Sequence, residues 1–210
     1  MSFNGFLEQD FETFHIEGLE ERMEAIQERI RPKFQAIGDI LTHDLSTKIG
    51  NEMYLHIAKH ARRTKNPPKD TWLAISHHKR GYKQHPHFQV GLWDDHVFLW
   101  LAFIYEAPNK TEIAQTFLHE IDFVKKTIPE TFMISKDHTK NEAFPMNEDT
   151  LTKTLERFRD VKKGEFLVGR QIAKNDPILK DPDAFLKMTV DTFQQLIPLY
   201  KLSYETIYTS

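Results

Sequence analysis

Residues 56–87 hold eight basic side chains, Lys59, Arg62, Arg63, Lys65, Lys69, Lys79, Arg80 and Lys83, against a single acid, Asp70. Six of the chain's eleven histidines, His56, His60, His77, His78, His85 and His87, fall in the same stretch. This is chemistry for anions. Arginine offers a planar fork of donors that matches phosphate and carboxylate, and lysine adds point charges. The expected ligand-binding set is Lys59, Arg62, Arg63, Lys79, Arg80, Lys83 and His87, and the expected partner is a phosphorylated or carboxylated small molecule. The same groups would serve a hydrolase or transferase that holds an anionic transition state with a histidine as general base. They would also serve a module that docks an acidic protein. A plainer alternative is a solvated basic face that balances an acidic N-terminal helix, since most charge runs are solvated surface.

Other chemistries are less well supported by spacing. Nucleic acid would use the positive patch with Tyr54, Trp72, Tyr82, Phe88 and Trp93 as stacking platforms, but aromatics at strand positions belong more often to a core, and the chain as a whole is negative. His85 and His87 at i, i+2 would share one face of an extended segment, yet no third ligand accompanies them, so no metal and no cofactor is expected. No nucleophile elbow, phosphate-binding loop or dinucleotide fingerprint is present. Gly164 and Gly169 flank a strand-like run and read as a strand start and a place of close packing. Asp137-His138 and Asp95-His96 are adjacent pairs in turns, where Asp is at home and neighbouring side chains diverge.

The elements that must position these groups are readable from periodicity. Leu19, Met23, Ile26, Ile30, Phe34, Ile37, Leu41 and Leu45 step by three and four, which predicts a helix over 18–45, and Pro32 predicts a kink or break near Arg31. Residues 54–61 are a short, ambiguous strand. Thr71–Ser76, His87–Leu92 and Val97–Tyr105 read as strands, the last two joined through a turn at Trp93-Asp94-Asp95-His96. Consecutive strands without an intervening helix imply antiparallel pairing. Helices are expected over 111–126, over 147–159 with Asn147 as N-cap, and from Asp181 or Asp183 to about Tyr200. Short strands are expected at 132–135 and 164–172. The result is an α+β fold with a mainly antiparallel sheet of four to six strands and helices packed on it, in one domain spanning 1–210.

Composition sets the outer limits. The chain has 210 residues, no cysteine, 12% aromatics and 40% hydrophobic residues. Thiol chemistry and cysteine-held zinc or iron–sulfur sites are excluded, and no disulfide framework points to an oxidising compartment. The N-terminus shows no signal-peptide pattern, and the longest apolar run, Val97–Tyr105, is about half of the ~20 residues a spanning helix needs. A cytoplasmic, membrane-free protein is expected. The net charge of −3 conceals a division: −6 over residues 1–55 and +7 over 56–87.

The stretch Ala58-Lys59-His60-Ala61-Arg62-Arg63, followed by Asn66-Pro67-Pro68-Lys69-Asp70-Thr71-Trp72, resembles the YktB-type proteins of Bacillus, Staphylococcus and relatives. Glu17–Met23, Lys79–Lys83, Pro86–Gln89 and Val161–Phe166 carry the resemblance along essentially the whole chain. It implies a single cytoplasmic α+β domain. It implies no activity, cofactor or catalytic residue, because the family is one of unknown function.

Overall fold

Strands β2 (Thr71–Ser76), β3 (His87–Leu92) and β4 (His96–Phe103) pair antiparallel in the middle of the fold, with Leu73 opposite Val90 and Val90 opposite Leu99. The computed structural model describes residues 3–208. β1 (Tyr54–Ile57) adds to β2, and β7 (Phe166–Ala173) adds to β4. β5 (Met133–Ser135) and β6 (Phe144–Pro145) complete a seven-stranded antiparallel sheet of order β1-β2-β3-β4-β7-β5-β6. One strand more than expected arises from β6, two residues long and carrying a proline, which is tolerated only at such an edge. The β3–β4 connection is the two-residue loop Asp94–Asp95, closed by Trp93 N–H donating to the His96 carbonyl at 2.9 Å.

Alternation along the strands divides the sheet into two faces. Leu73, Ile75, Phe88, Val90, Leu92, Val97, Leu99, Leu101, Phe103, Phe166 and Val168 point to one side and join the main core. Helices α3 (Arg31–Ile49), α6 (Glu148–Asp160) and α7 (Pro182–Tyr208) cover that side, with α4 (Lys110–His119) packed between α6 and α7. Burial of so many Phe, Leu and Ile side chains, each worth about 1.5–3 kcal/mol, is what drives these elements together.

The long N-terminal helix is interrupted as Pro32 requires. Here α2 denotes Leu19–Ala25, preceded by the short α1 (Glu8–Glu12). Between α2 and α3 the chain makes a π-helical turn, Ile26–Ile30, in which Arg31 N–H reaches back to the Ile26 carbonyl. The wider turn gives the proline ring room that a regular turn would deny it. The helix expected over 111–126 is likewise two, α4 and α5 (Ile121–Thr127), because Glu120 leaves helical geometry at φ −94°, ψ 31°. The last helix starts where expected: the Asp181 carboxylate accepts from Ala184 N–H at 3.0 Å and Pro182 takes the first helical position. It continues beyond Tyr200, to Tyr208.

The two glycines of the β7 segment are places of close approach. A Cβ on Gly169 would lie 1.9 Å from the Leu99 carbonyl oxygen, and one on Gly164 2.2 Å from that of Arg157. Among the described residues, no helix is long and apolar enough to cross a membrane.

Candidate functional site

Among the described residues no α-helix contributes to the cluster on the second face of the sheet, where only the single 3-10 turn Tyr82–Gln84 packs. His56, Trp72, Ala74, His87, Gln89, Gly91, Phe98, Trp100, Ala102 and Leu167 alternate onto this side, as their registers require. A small cluster of Trp93, Phe98, Trp100, Ala102, Ile104 and Leu167 lines its centre, with Trp72, Met133 and Ala143 at its margin. Loops roof it instead. From the segment 77–86, the Tyr82 hydroxyl accepts the Trp72 indole N–H at 2.8 Å. The Tyr82 ring packs 4.9 Å from His56 and 5.0 Å from His87. From the segment 136–143, Asn141 donates to the Asp95 carboxylate, and His138 bonds Glu165.

The segment 58–70 is held against the body by two arginines of the N-terminal helices. Arg22 donates to the Pro68 carbonyl at 2.8 Å, and Arg31 donates to the carbonyls of Ala58 and Lys59 at 3.3 Å. His60 sits in the left-handed backbone region at φ 52°, the one non-glycine residue to do so among those described. Such a conformation persists where surrounding contacts over-determine it. Here they are a bond between His60 Nε2 and Thr71 Oγ1 at 3.1 Å and an edge-on packing against Trp72 at 5.6 Å.

Segments 58–70 and 77–86 meet at Trp72, with His60 on one side and Lys83 and Tyr82 on the other, and burial and positive charge dominate the electrostatics at this mouth. Burial, aided by Arg63, Arg31 and Lys83, pushes the His60 imidazole down to about 4, so it is neutral at pH 7. Burial raises the Asp70 carboxyl to about 6, against the opposing pull of His138, Arg63 and Lys83. Below them His87 is fully buried and pushed down to about 3. Its Nδ1 bonds the His85 carbonyl at 2.7 Å and its Nε2 faces the Gln89 amide at 2.9 Å. Lys83 thus acts on both imidazoles and on the buried acid, while Arg63 acts on His60 and Asp70.

The structure brings together only part of the expected set. Arg63 and Lys83 flank the mouth, Lys83 with its ammonium 5.4 Å from the Trp72 ring centroid and 3.9 Å from Glu106. His87 is beneath them in the sheet, with both ring nitrogens engaged, so it shapes the floor rather than offering a surface contact. Lys59 lies apart, in a groove of about 560 Å3 between α3 and β1. Lys79 covers the Tyr54 ring at 5.2 Å, and Arg62 and Arg80 are exposed. Among the described residues, only Lys83 of the eight bases in 56–87 has a carboxylate within 4.0 Å. The basic segment is therefore not neutralised by the acidic N-terminal helices, whose contacts with it are arginine-to-carbonyl bonds.

Sequence spacing missed two acids. Asp70 stands in the basic run as its lone acid, and nothing local signals that it is buried. Glu165 is 27 residues from His138 in sequence, yet accepts its backbone N–H at 2.7 Å and its Nδ1 at 2.8 Å. Asp137 does form the expected turn, its carboxylate accepting from Thr139 N–H at 2.9 Å. The neighbouring His138 does not diverge from it as expected for adjacent side chains: one donor atom of each lies within 4.8 Å of the other and of Glu165.

A family profile described as a domain of unknown function, DUF1054, matches residues 6–200. A UPF0637 protein of Oceanobacillus iheyensis is 59% identical over 204 residues, which cover 97% of this chain and 98% of the relative. One of Shouchella clausii is 57% identical over 203 residues, covering 97% and 96%, and one of Listeria welshimeri 54% over 201 residues, covering 96% and 98%. Likeness at this level over nearly the full length of each chain agrees with the resemblance to YktB-type proteins, and the chain belongs to the DUF1054 family.

Proposed function

We propose that this chain binds a phosphorylated or carboxylated small molecule at the mouth between segments 58–70 and 77–86. Arg63 and Lys83 contact the anion there, half-exposed Trp72 offers a flat apolar wall, and Arg62, Arg80, Lys79 and Lys59 add a long-range attractive field. One observation carries the reading: seven of the eight bases of this segment have no carboxylate partner among the described residues. Charges left uncompensated on a loop scaffold are free to recruit an anion from solution. The absence of cysteine and of a membrane-crossing helix among the described residues supports a cytoplasmic setting.

The test is thermal unfolding with inorganic phosphate, pyrophosphate, citrate and nucleoside phosphates at millimolar concentration in low salt. A ligand at 100 times its Kd adds about 2.7 kcal/mol, which raises the Tm of a chain this size by about 5–10 °C. Arg63→Ala and Lys83→Ala should each abolish the rise, and Lys48→Ala, whose side chain pairs with Asp44, should keep it. No rise with any anion overturns the reading.

Asp70 favours a second reading, in which the bound anion is also a substrate. An acid that titrates near 6 is matched to proton transfer at neutral pH. Turnover of a phosphoester that disappears in Asp70→Asn, with anion binding retained, would separate this enzyme from a binding protein.

A further inference from the structure

We propose that Asp137, His138 and Glu165 form a site for one divalent transition cation, Zn2+ or Mn2+. The inference does not depend on the anion reading above. Glu165 opens β7's approach at the edge of the second face and is 1% exposed. A carboxylate so removed from water is ordinarily matched by a cation, a metal or hydrogen-bond donors, and here the N–H groups of His138 and Tyr105 point at it at 2.7 and 3.5 Å without supplying a charge. Among the described residues its only ion-pair partner within 4.0 Å is the His138 imidazole. The nearby Lys110 is committed elsewhere, its ammonium held by the carbonyls of Phe158 and Val161.

The geometry around Glu165 is that of a chelate occupied by a proton. His138 Nδ1 lies 2.8 Å from Oε1 and 2.9 Å from Oε2, an almost symmetric fork on one nitrogen. Since a carboxylate only accepts, Nδ1 carries the hydrogen that faces it. Asp137 supplies the third ligand, and one donor atom from each of the three residues lies within 4.8 Å of the other two. Metal–ligand bonds of about 2.0–2.2 Å need donors roughly 3–3.6 Å apart, so closing the site takes less than about 2 Å of movement in the 136–140 loop.

The surroundings fit this role. Asp137 Oδ1 is oriented by Thr139 N–H and Oγ1–H at 2.9 and 2.6 Å, and Ser135 Oγ donates to the Asp137 carbonyl. Outer contacts of this kind hold ligands in place for a metal. Asp137 and His138 are partly buried at the surface, which leaves a cation an approach while Glu165 forms the floor. One imidazole and two carboxylates suit borderline cations, their two negative charges balance the ion, and three protein ligands leave positions for water or an anion. On binding, the M–Nδ1 bond replaces the N–H bond: the Nδ1 proton leaves to solvent while Nε2 takes one up from solvent, so the ring stays neutral and no net proton is released.

The experiment titrates metal-free, full-length protein with ZnCl2 and with MnCl2 by calorimetry, and follows histidine ring nitrogens by 1H–15N correlation. The expected result is one cation per chain with a Kd in the micromolar range or below, and one histidine, absent from the His138→Gln spectrum, moving from the Nδ1–H to the Nε2–H form. Glu165→Gln should abolish binding. Asp137→Asn, a half-exposed loop substitution that leaves the sheet intact, should weaken it at least tenfold, which keeps the test decisive if Glu165→Gln does not fold. The stacked pair His78 and His85, with centroids 3.4 Å apart, is the competing zinc-binding surface. Binding lost in His78→Gln but retained in Asp137→Asn overturns the proposal, as does the absence of one-to-one binding at 100 times micromolar metal. Anion-induced stabilisation measured without metal is a separate result, so either idea can fail alone.

Discussion

Asp70 and His87 answer acid in opposite directions. The Asp70 carboxyl titrates near 6 in the fold rather than at its ordinary 3.8. As pH rises from about 4 to 6 the unfolded chain gives up a proton that the folded chain keeps, so this group costs stability with rising pH and returns it on acidification. His87 at about 3 and His60 at about 4 behave oppositely. Below 6.5 the unfolded chain takes up protons that the folded chain refuses, and stability falls with pH. His87 is fully buried and its contribution is undiscounted, whereas His60 is partly screened by solvent. Between pH 6.5 and 4 these two histidines outweigh the carboxyl, and His85, pushed down to about 4, with His56, His78 and His96, also lowered by burial, add in the same direction, so a net loss of at least about 2 kcal/mol is expected from urea midpoints. Asp70→Asn removes the opposing contribution and should steepen the loss by about 2 kcal/mol over the same interval. An unchanged slope in that variant would show that Asp70 is ionised throughout. Comparing slopes within each variant cancels the fixed cost of the substitution.

At the scale of elements, local chemistry and close packing differ in strength. Asn147 caps α6 by accepting Thr150 N–H at 2.9 Å, as its place before an amphipathic run predicts. Asn147→Ala should cost about 1 kcal/mol by urea unfolding at pH 7. Gly169 lies where β7 crosses the Leu99 carbonyl in the middle of the sheet, with no space for a methyl group. Gly169→Ala must push two central strands apart and should cost about 3 kcal/mol. If it costs no more than the cap, the β4–β7 pair is more pliable than its eight-residue register implies. Strand β3 falls on the residues that alternation marked, and β2 on Thr71–Ser76, read as a buried strand. The hairpin turn, the Asn147 cap and the Pro32 interruption are also where local signals placed them. The break at Glu120 and strand β6 carry no such signal: neither has a glycine or capping residue that marks it, and β6 exists only because β5 lies beside it.

Across the whole molecule, the charge division has a thermodynamic consequence. Seven of the eight cations of 56–87 have no carboxylate within 4.0 Å among the described residues, so their repulsion across this segment opposes folding where it is unscreened. Raising NaCl from 10 to 200 mM shortens the screening length from about 30 Å to below 10 Å. The Tm should rise by about 1–3 °C, and Arg62→Glu combined with Arg80→Glu should remove most of that rise. A Tm that falls with salt would mean that attraction to the acidic helices dominates instead. The sequence by itself determined the α+β class, the antiparallel order of β2 to β4, the helical faces and the concentration of bases, because hydrophobic period, turn residues and charge are local properties. Only the tertiary structure decided which bases share a mouth, that His87 is sealed beneath it, and that Glu165 meets His138 across 27 residues. Those outcomes depend on strand register and on which face of the sheet the helices leave bare, and both are fixed by burial summed over the whole chain rather than by any one segment.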